Sequence, residues 1–242
     1  MSSASTPAVK TPRWKRPGWG SVRVTYVISL LWVAASALGT IIGVVSTLAS
    51  DAAIAVSLPV RPFFPDVNEG VEITEGPSAE IVGGGFESAD VMLTGLDMTA
   101  RLWIAGGHFS QGLTNVLVGI AVATLCTRVM NRDPFREAMT RAVQMAAASI
   151  VLGGIIWQIC FAIGDNLAAT QALTVTGWTY TNDEAADAAL DVGWPTPSGA
   201  AFIDFWPIWV GLALFVLAAA FQYGEKLQND NERLHDDTKG LV

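Results

Sequence analysis

Residues 128–141 read RVMNRDPFREAMTR, and the organisation of the chain follows from what lies on either side of them. Residues 112–130 before them and 142–164 after them are apolar runs, each near or above the roughly 20 residues a helix needs to cross a bilayer. A short basic stretch between two such runs is a turn at a membrane surface. Its chemistry suits a helix start. Asp133 can accept from the free N–H groups of the next first turn, and Pro134 then falls where a missing N–H costs nothing. Arg136 stands at the third helical position, so there is no capping box. Glu137 still sets a negative charge near the positive end of the helix dipole. The arginines 128, 132, 136 and 141 have no interleaved aromatics and are too few for a nucleic-acid footprint. They read as membrane-border residues.

The whole composition agrees. Of 242 residues 51% are hydrophobic and 15% charged, with mean hydropathy +0.42, against about 25% charged in soluble domains. Residues 24–49 and 202–223 add two more apolar runs. The expected fold is a membrane α-helical protein of four transmembrane helices, with two extracytoplasmic loops, 50–111 and 165–201, forming a small β-sheet. Residues 1–20 are expected to be a disordered basic arm with Trp14 and Trp19 at the lipid interface, 21–223 the transmembrane domain, and 224–242 a cytoplasmic tail.

Orientation is read from the cations. Lys10, Arg13, Lys15, Arg16 and Arg23 precede the first span, the four arginines lie in the turn, and Lys226, Arg233 and Lys239 follow the last. Four spans place those twelve of fourteen basic residues on one side, leaving Arg61 and Arg101 with fifteen acids on the other. Basic residues stay cytoplasmic, so both termini are expected inside and the acidic loops outside. The run 24–49 exceeds the 7–15 residues of a signal-peptide core and reads as a retained first helix. Ala35, Gly39 and Gly43 on it form a small-residue stripe for helix packing. Cys126 and Cys160 read as buried thiols within spans, neither a disulfide nor a metal pair.

In the first loop, residues 71–74 and 79–82 read as a hairpin parted by Glu75-Gly76-Pro77-Ser78, and 89–93 as a further strand after Gly83-Gly84-Gly85. That triplet lacks the context of a nucleotide fingerprint. Residues 96–109, with Arg101, Trp103 and His108, are expected to skim the interface. In the second loop 172–181 reads as a strand, while Asp183, Asp187 and Asp191 would share one helix face and read as solvated. Asp165 and Asp204 read as border residues at one depth, Asp204 within an aromatic belt of Phe202, Phe205, Trp206 and Trp209.

Thr114, Asn115, Gln144, Ser149 and Gln158 lie within the apolar runs and read as interhelical hydrogen-bonding groups. No ionisable residue stands in the middle of a run, which argues against a transporter or channel component, since ion pathways display one. The two histidines, His108 and His235, fall on opposite sides of the bilayer, so a Ser or Cys nucleophile lacks its usual base and a metal site would need carboxylates alone. No enzyme activity and no cofactor are expected.

Two segments resemble a known family. NRDPF at 131–135, with Asp133, Pro134 and Phe135, and a tail with Gly224, Glu225, Leu227, Leu241 and Val242 are similar to the bacterial family called domain of unknown function 2975. The present tail is longer between Leu227 and Leu241 than that pattern. The resemblance implies a small four-span protein of the bacterial plasma membrane, and a small cytoplasmic helix-turn-helix regulator as partner. Leu227 and Leu234, seven apart on one face of a helix continuing the last span, would dock on Phe135 and the hinge or meet that partner. The function expected is regulatory or scaffolding, through the hinge and tail. A transporter component is the alternative.

Overall fold

The computed structural model describes residues 19–49, 52–64, 82–131, 137–177, 179 and 194–239. Its elements in order are α1 (Trp19–Leu48), β1 (Ile54–Phe63), β2 (Phe86–Leu93), α2 (Met98–Asn131), α3 (Glu137–Ala148), a π-helical turn (Ser149–Gly153), α4 (Gly154–Leu173) and α5 (Trp206–Lys239). Among the described residues, four helical stretches are long and apolar enough to cross a membrane: Gly20–Leu48, Met98–Asn131, Met139–Leu173 and Trp206–Leu227. Their exposed side chains are those that lipid would solvate. Val24, Ile28, Leu31, Ile42 and Val45 on α1 are all exposed, a liability in water and the expected surface in hydrocarbon. Hydroxyls on these helices bond inward. Thr47 Oγ1 donates to Gly43 O at 2.7 Å and Thr124 Oγ1 to Ile120 O at 2.8 Å, so neither presents an unpaired dipole.

The helices are longer than the apolar runs. At 1.5 Å per residue α2, with 34 residues, is about 50 Å long, against a hydrocarbon layer of about 30 Å. Residues 98–109, expected along the interface, are its first turns.

The chain divides into two units. The first holds residues 1–39, 112–154 and 206–242. In it α3 packs along α5 through small side chains, with Ala146, Ala147 and Ala218 buried. A Cβ on Gly211 would lie 2.1 Å from Val151 Cγ2 and 3.3 Å from Ala147 O, so glycine permits the approach. The π turn is held from α2: Thr114 Oγ1 donates to Ser149 O at 3.5 Å.

The second unit holds residues 40–111 and 155–205. β1 and β2 pair antiparallel from Ile54↔Leu93 to Phe63↔Phe86, with an irregularity between Pro59 and Phe63. Ile54, Val56, Leu58 and Val60 alternate inward and are buried; the first three form a core with Leu96, Ile104, Ala168 and Ala169. Each such apolar side chain contributes roughly 1.5–3 kcal/mol on leaving water. Segment 196–198 runs along the free edge of β1. Arg61 N donates to Thr196 O at 2.9 Å and Ser198 N to Pro59 O at 3.1 Å, around the bridge Val60↔Pro197. The small sheet is therefore built from residues 54–63 and 86–93, with 89–93 inside the second strand as expected. The hairpin at 71–82 lies outside the described residues except Val82. The strand expected over 172–181 does not form where it is described: α4 continues to Leu173, and 174–177 have no regular structure. The glycine triplet has a structural reason. Gly84 has φ +98, and a Cβ on Gly85 would sit 2.7 Å from the Phe63 backbone, so that approach is open only to glycine.

Arg101 anchors this unit. Its side chain is 2% exposed, with Nε donating to Leu96 O at 3.0 Å and Nη1 to Thr47 O at 3.1 Å and to Ala49 O. The last two are carbonyls at the end of α1, which no intrahelical N–H can satisfy, and a cation there meets the negative end of the helix dipole.

Candidate functional site

The residues expected to form a cytoplasmic interaction site are only partly described. Asp133, Pro134, Phe135, Leu241 and Val242 lie outside the described residues, and with them the expected docking of the tail on Phe135. Gly224 and Glu225 are half-buried on α5, and Leu227 and Leu234 are exposed on it. The helix is unbroken from Trp206 through the charged tail to Lys239. It thus carries the leucine stripe beyond the apolar stretch ending at Leu227.

A second arrangement lies within the unit that holds the sheet. A cleft of about 200 Å³ opens between β1, β2, α4 and the segment before α5. α4 shapes it with two stripes at four-residue spacing, which a helix sets side by side. Trp157, Phe161 and Asp165 make one, and Gln158, Ala162 and Asn166 the other. Trp157 and Phe161 meet edge to face with ring centroids 6.0 Å apart. The amides of the second stripe hold the opposite wall. Gln158 Nε2 donates to Asp204 O at 3.1 Å while Asp204 N donates to Gln158 Oε1 at 2.6 Å. Asn166 Nδ2 donates to Ala200 O at 3.0 Å. Residues 200–204 are thereby fixed across the face of α4, and Ala162 between the two amides leaves room. Ser57, Ser88, Phe202 and Asp204 complete the lining that matters here.

Behind the cleft α2 and α4 come close. A Cβ on Gly164 would meet Ile104 Cγ1 at 2.6 Å and its backbone N at 3.1 Å. His108 is wedged here, with its ring 5.1 Å from that of Phe161 and edge-on to it, and 3.5 Å from where a Gly43 Cβ would be. Gly43 of the expected small-residue stripe thus faces another helix, whereas nothing lies within 4 Å of a Cβ on Gly39. At the start of α2, Asp97 Oδ1 accepts from Ala100 N at 2.8 Å, and Asp97 N donates to Gln171 Oε1 at 3.0 Å. The Ala100 N–H, and after it the Gln171 amide, hold the Asp97 carboxyl below its ordinary value of 3.8.

Sequence reasoning placed Asp165 and Asp204 at one depth; the structure brings both to one cleft. It took Gln158 as packing glue, and missed Trp157, Phe161, Asn166, Ser57 and Ser88 as a set. Asp183, Asp187 and Asp191, expected on one helix face, lie outside the described residues. Cys126 and Cys160 are free thiols, and no group of three His, Cys, Asp or Glu suited to a metal occurs among the described residues. The middles of the runs 112–130 and 142–164 carry no ionisable residue, yet α2 and α4 extend past those runs and take in His108 and Asp165. No family model, curated protein or solved structure matches the chain.

Proposed function

We propose that the protein is a non-enzymatic regulatory or interaction module of the bacterial plasma membrane, with both termini cytoplasmic, acting through its hinge and tail. The supporting observation is the continuity of α5. A helix that remains helical from Leu227 to Lys239 while exposing Leu227 and Leu234 offers two apolar anchors on one face, the pattern by which a helix enters a groove of a partner. The distribution of Lys and Arg supports an inside location for that face. The resemblance of 131–135 and the tail to domain of unknown function 2975 supports a small helix-turn-helix regulator as the partner.

The test is co-purification of the full-length tagged protein from solubilised membranes, beside a Leu227→Glu/Leu234→Glu variant. A helix-turn-helix protein should accompany the first and be lost from the second. Its absence from both, or equal recovery with both, overturns the reading. A transporter component has one observation in its favour, the ionisable His108 and Asp165 inside helices that contain candidate spans, where such groups mark solute paths. Solute flux in proteoliposomes above that of empty vesicles, lost on Asp165→Asn, would put that reading first.

A further inference from the structure

The cleft beside α4 has the chemistry of a ligand site. Among the described residues two carboxylic side chains line it, Asp165 and Asp204, and no lysine or arginine does. Asp165 is half-buried, and among the described residues no hydrogen-bond donor reaches its carboxylate. A carboxylate drawn partly out of water without a partner is unfavourable, and a cation beside it removes that cost. The same helix stripe sets Phe161 one turn and Trp157 two turns away from Asp165 along the wall. Aromatic faces attract organic cations, indole most strongly. A bare metal ion would instead need several oxygen ligands in a fixed array, which the wall of Trp157, Phe161 and Phe202 does not supply. The size is restrictive too: about 200 Å³ falls below the roughly 300–1,000 Å³ of pockets for drug-sized molecules. The opposite wall is already fixed, since Gln158 and Asn166 hold residues 200–204 through their backbone. A ligand entering would therefore meet a formed site and leave those amides in place.

We infer that this cleft binds a small organic ammonium cation, with Asp165 as its counter-charge and Trp157 as its aromatic wall. This goes beyond the tail-mediated reading and does not depend on it, because the cleft and the tail are tested by different variants and different readouts.

The experiment uses the full-length protein in a non-ionic detergent, titrated with choline and with its neutral isostere 3,3-dimethylbutan-1-ol. Calorimetry and tryptophan fluorescence are the readouts. Choline should bind saturably and the isostere at least about tenfold more weakly, the difference being the charge. Asp165→Asn and Trp157→Leu should each weaken choline about tenfold or more, while Leu234→Ser on the tail leaves it unchanged. Equal binding of the isostere overturns the inference, as does undiminished choline affinity in an Asp165→Asn protein that melts at the wild-type temperature. So does an equal, Asp165-dependent response to sodium or calcium, which would make this an inorganic-cation site. Should Asp165→Asn not fold, Ala162→Leu decides the matter: it fills the cleft, and choline binding that survives it overturns the inference.

Discussion

Arg101 is a guanidinium almost without contact with water, and every acceptor named for it is a backbone carbonyl. Backbone acceptors explain why arginine stands here. Its planar fork directs donors to several oxygens at once, whereas a lysine ammonium is a single flexible point charge. Removing the fork takes the donor from the buried Leu96 and Thr47 carbonyls, at a cost of about 1–3 kcal/mol for each group left unsatisfied, while Ala49 O keeps the N–H of Ala52. Arg101→Met is therefore expected to destabilise the protein by about 2–4 kcal/mol, and Arg101→Lys to recover less than half of that loss. Thermal unfolding in detergent micelles measures both. An Arg101→Met protein as stable as the wild type would remove the capping role. None of this was legible in the sequence, where Arg101 is one cation in an acidic loop. Its partners near Thr47 and Ala49 are peptide groups more than fifty residues away, and peptide groups leave no sequence signal.

Elements were legible to the degree that their pattern was periodic or their composition extreme. The four apolar runs fall in four long apolar helices among the described residues, because hydrocarbon leaves a backbone only the helix or the closed barrel, and runs of about 20 residues fit the helix. Their ends were not given, because a helix that leaves the bilayer can continue on ordinary propensity and caps. α2 begins at such a cap, Asp97, and that start gave no apolar signal. β1 does alternate, with Ile54, Val56, Leu58 and Val60 on one face, but Pro59 counts against a strand. The structure tolerates it because the carbonyl of Pro59, not its nitrogen, is used toward Ser198. The cleft was hidden for the same reason as the helix ends: the stripe 157, 161, 165 is a stripe only if the helix passes residue 164. Asp97 supplies the prediction at this scale. Its carboxyl is held low in the folded state by the Ala100 N–H and the Gln171 amide, so its contribution is complete above the ordinary aspartate range. That contribution is lost as pH falls through the depressed folded value. Asn caps a helix about as well as Asp without titrating, so Asp97→Asn should show a shallower fall in melting temperature between about pH 5 and pH 3 than the wild type. Parallel falls would mean that the cap does not carry the acid sensitivity.

At the scale of the whole molecule the deciding quantity is electrostatic. Two cations, Arg61 and Arg101, stand among residues 50–204 apart from those of the 128–141 turn, and twelve lie in the arm, the turn and the tail. Burial of Arg101 on backbone carbonyls sharpens this asymmetry, because a cation that is already bonded within the fold is a weaker competitor for the anionic inner surface. The acids remain distributed over both loops, and acids contribute little to orientation, so the arm, turn and tail dominate. The expected outcome is an inside arm, an inside turn and an inside tail. A chain with Cys126 and Cys160 replaced by alanine, carrying either Glu72→Cys or Ser3→Cys, tests this with a membrane-impermeant thiol reagent on intact cells. Glu72→Cys should label without lysis and Ser3→Cys only after it, and a reporter enzyme that works only in the cytoplasm should be active when fused after Val242. Moving charge gives a sharper version of the same test. Replacing Arg128, Arg132, Arg136 and Arg141 together by serine removes four of those twelve cations, and should produce a mixed population in which part of the Glu72→Cys label is protected. If orientation is unaltered, the arm and the tail suffice to set it, and the turn at 128–141 does not contribute to the topology.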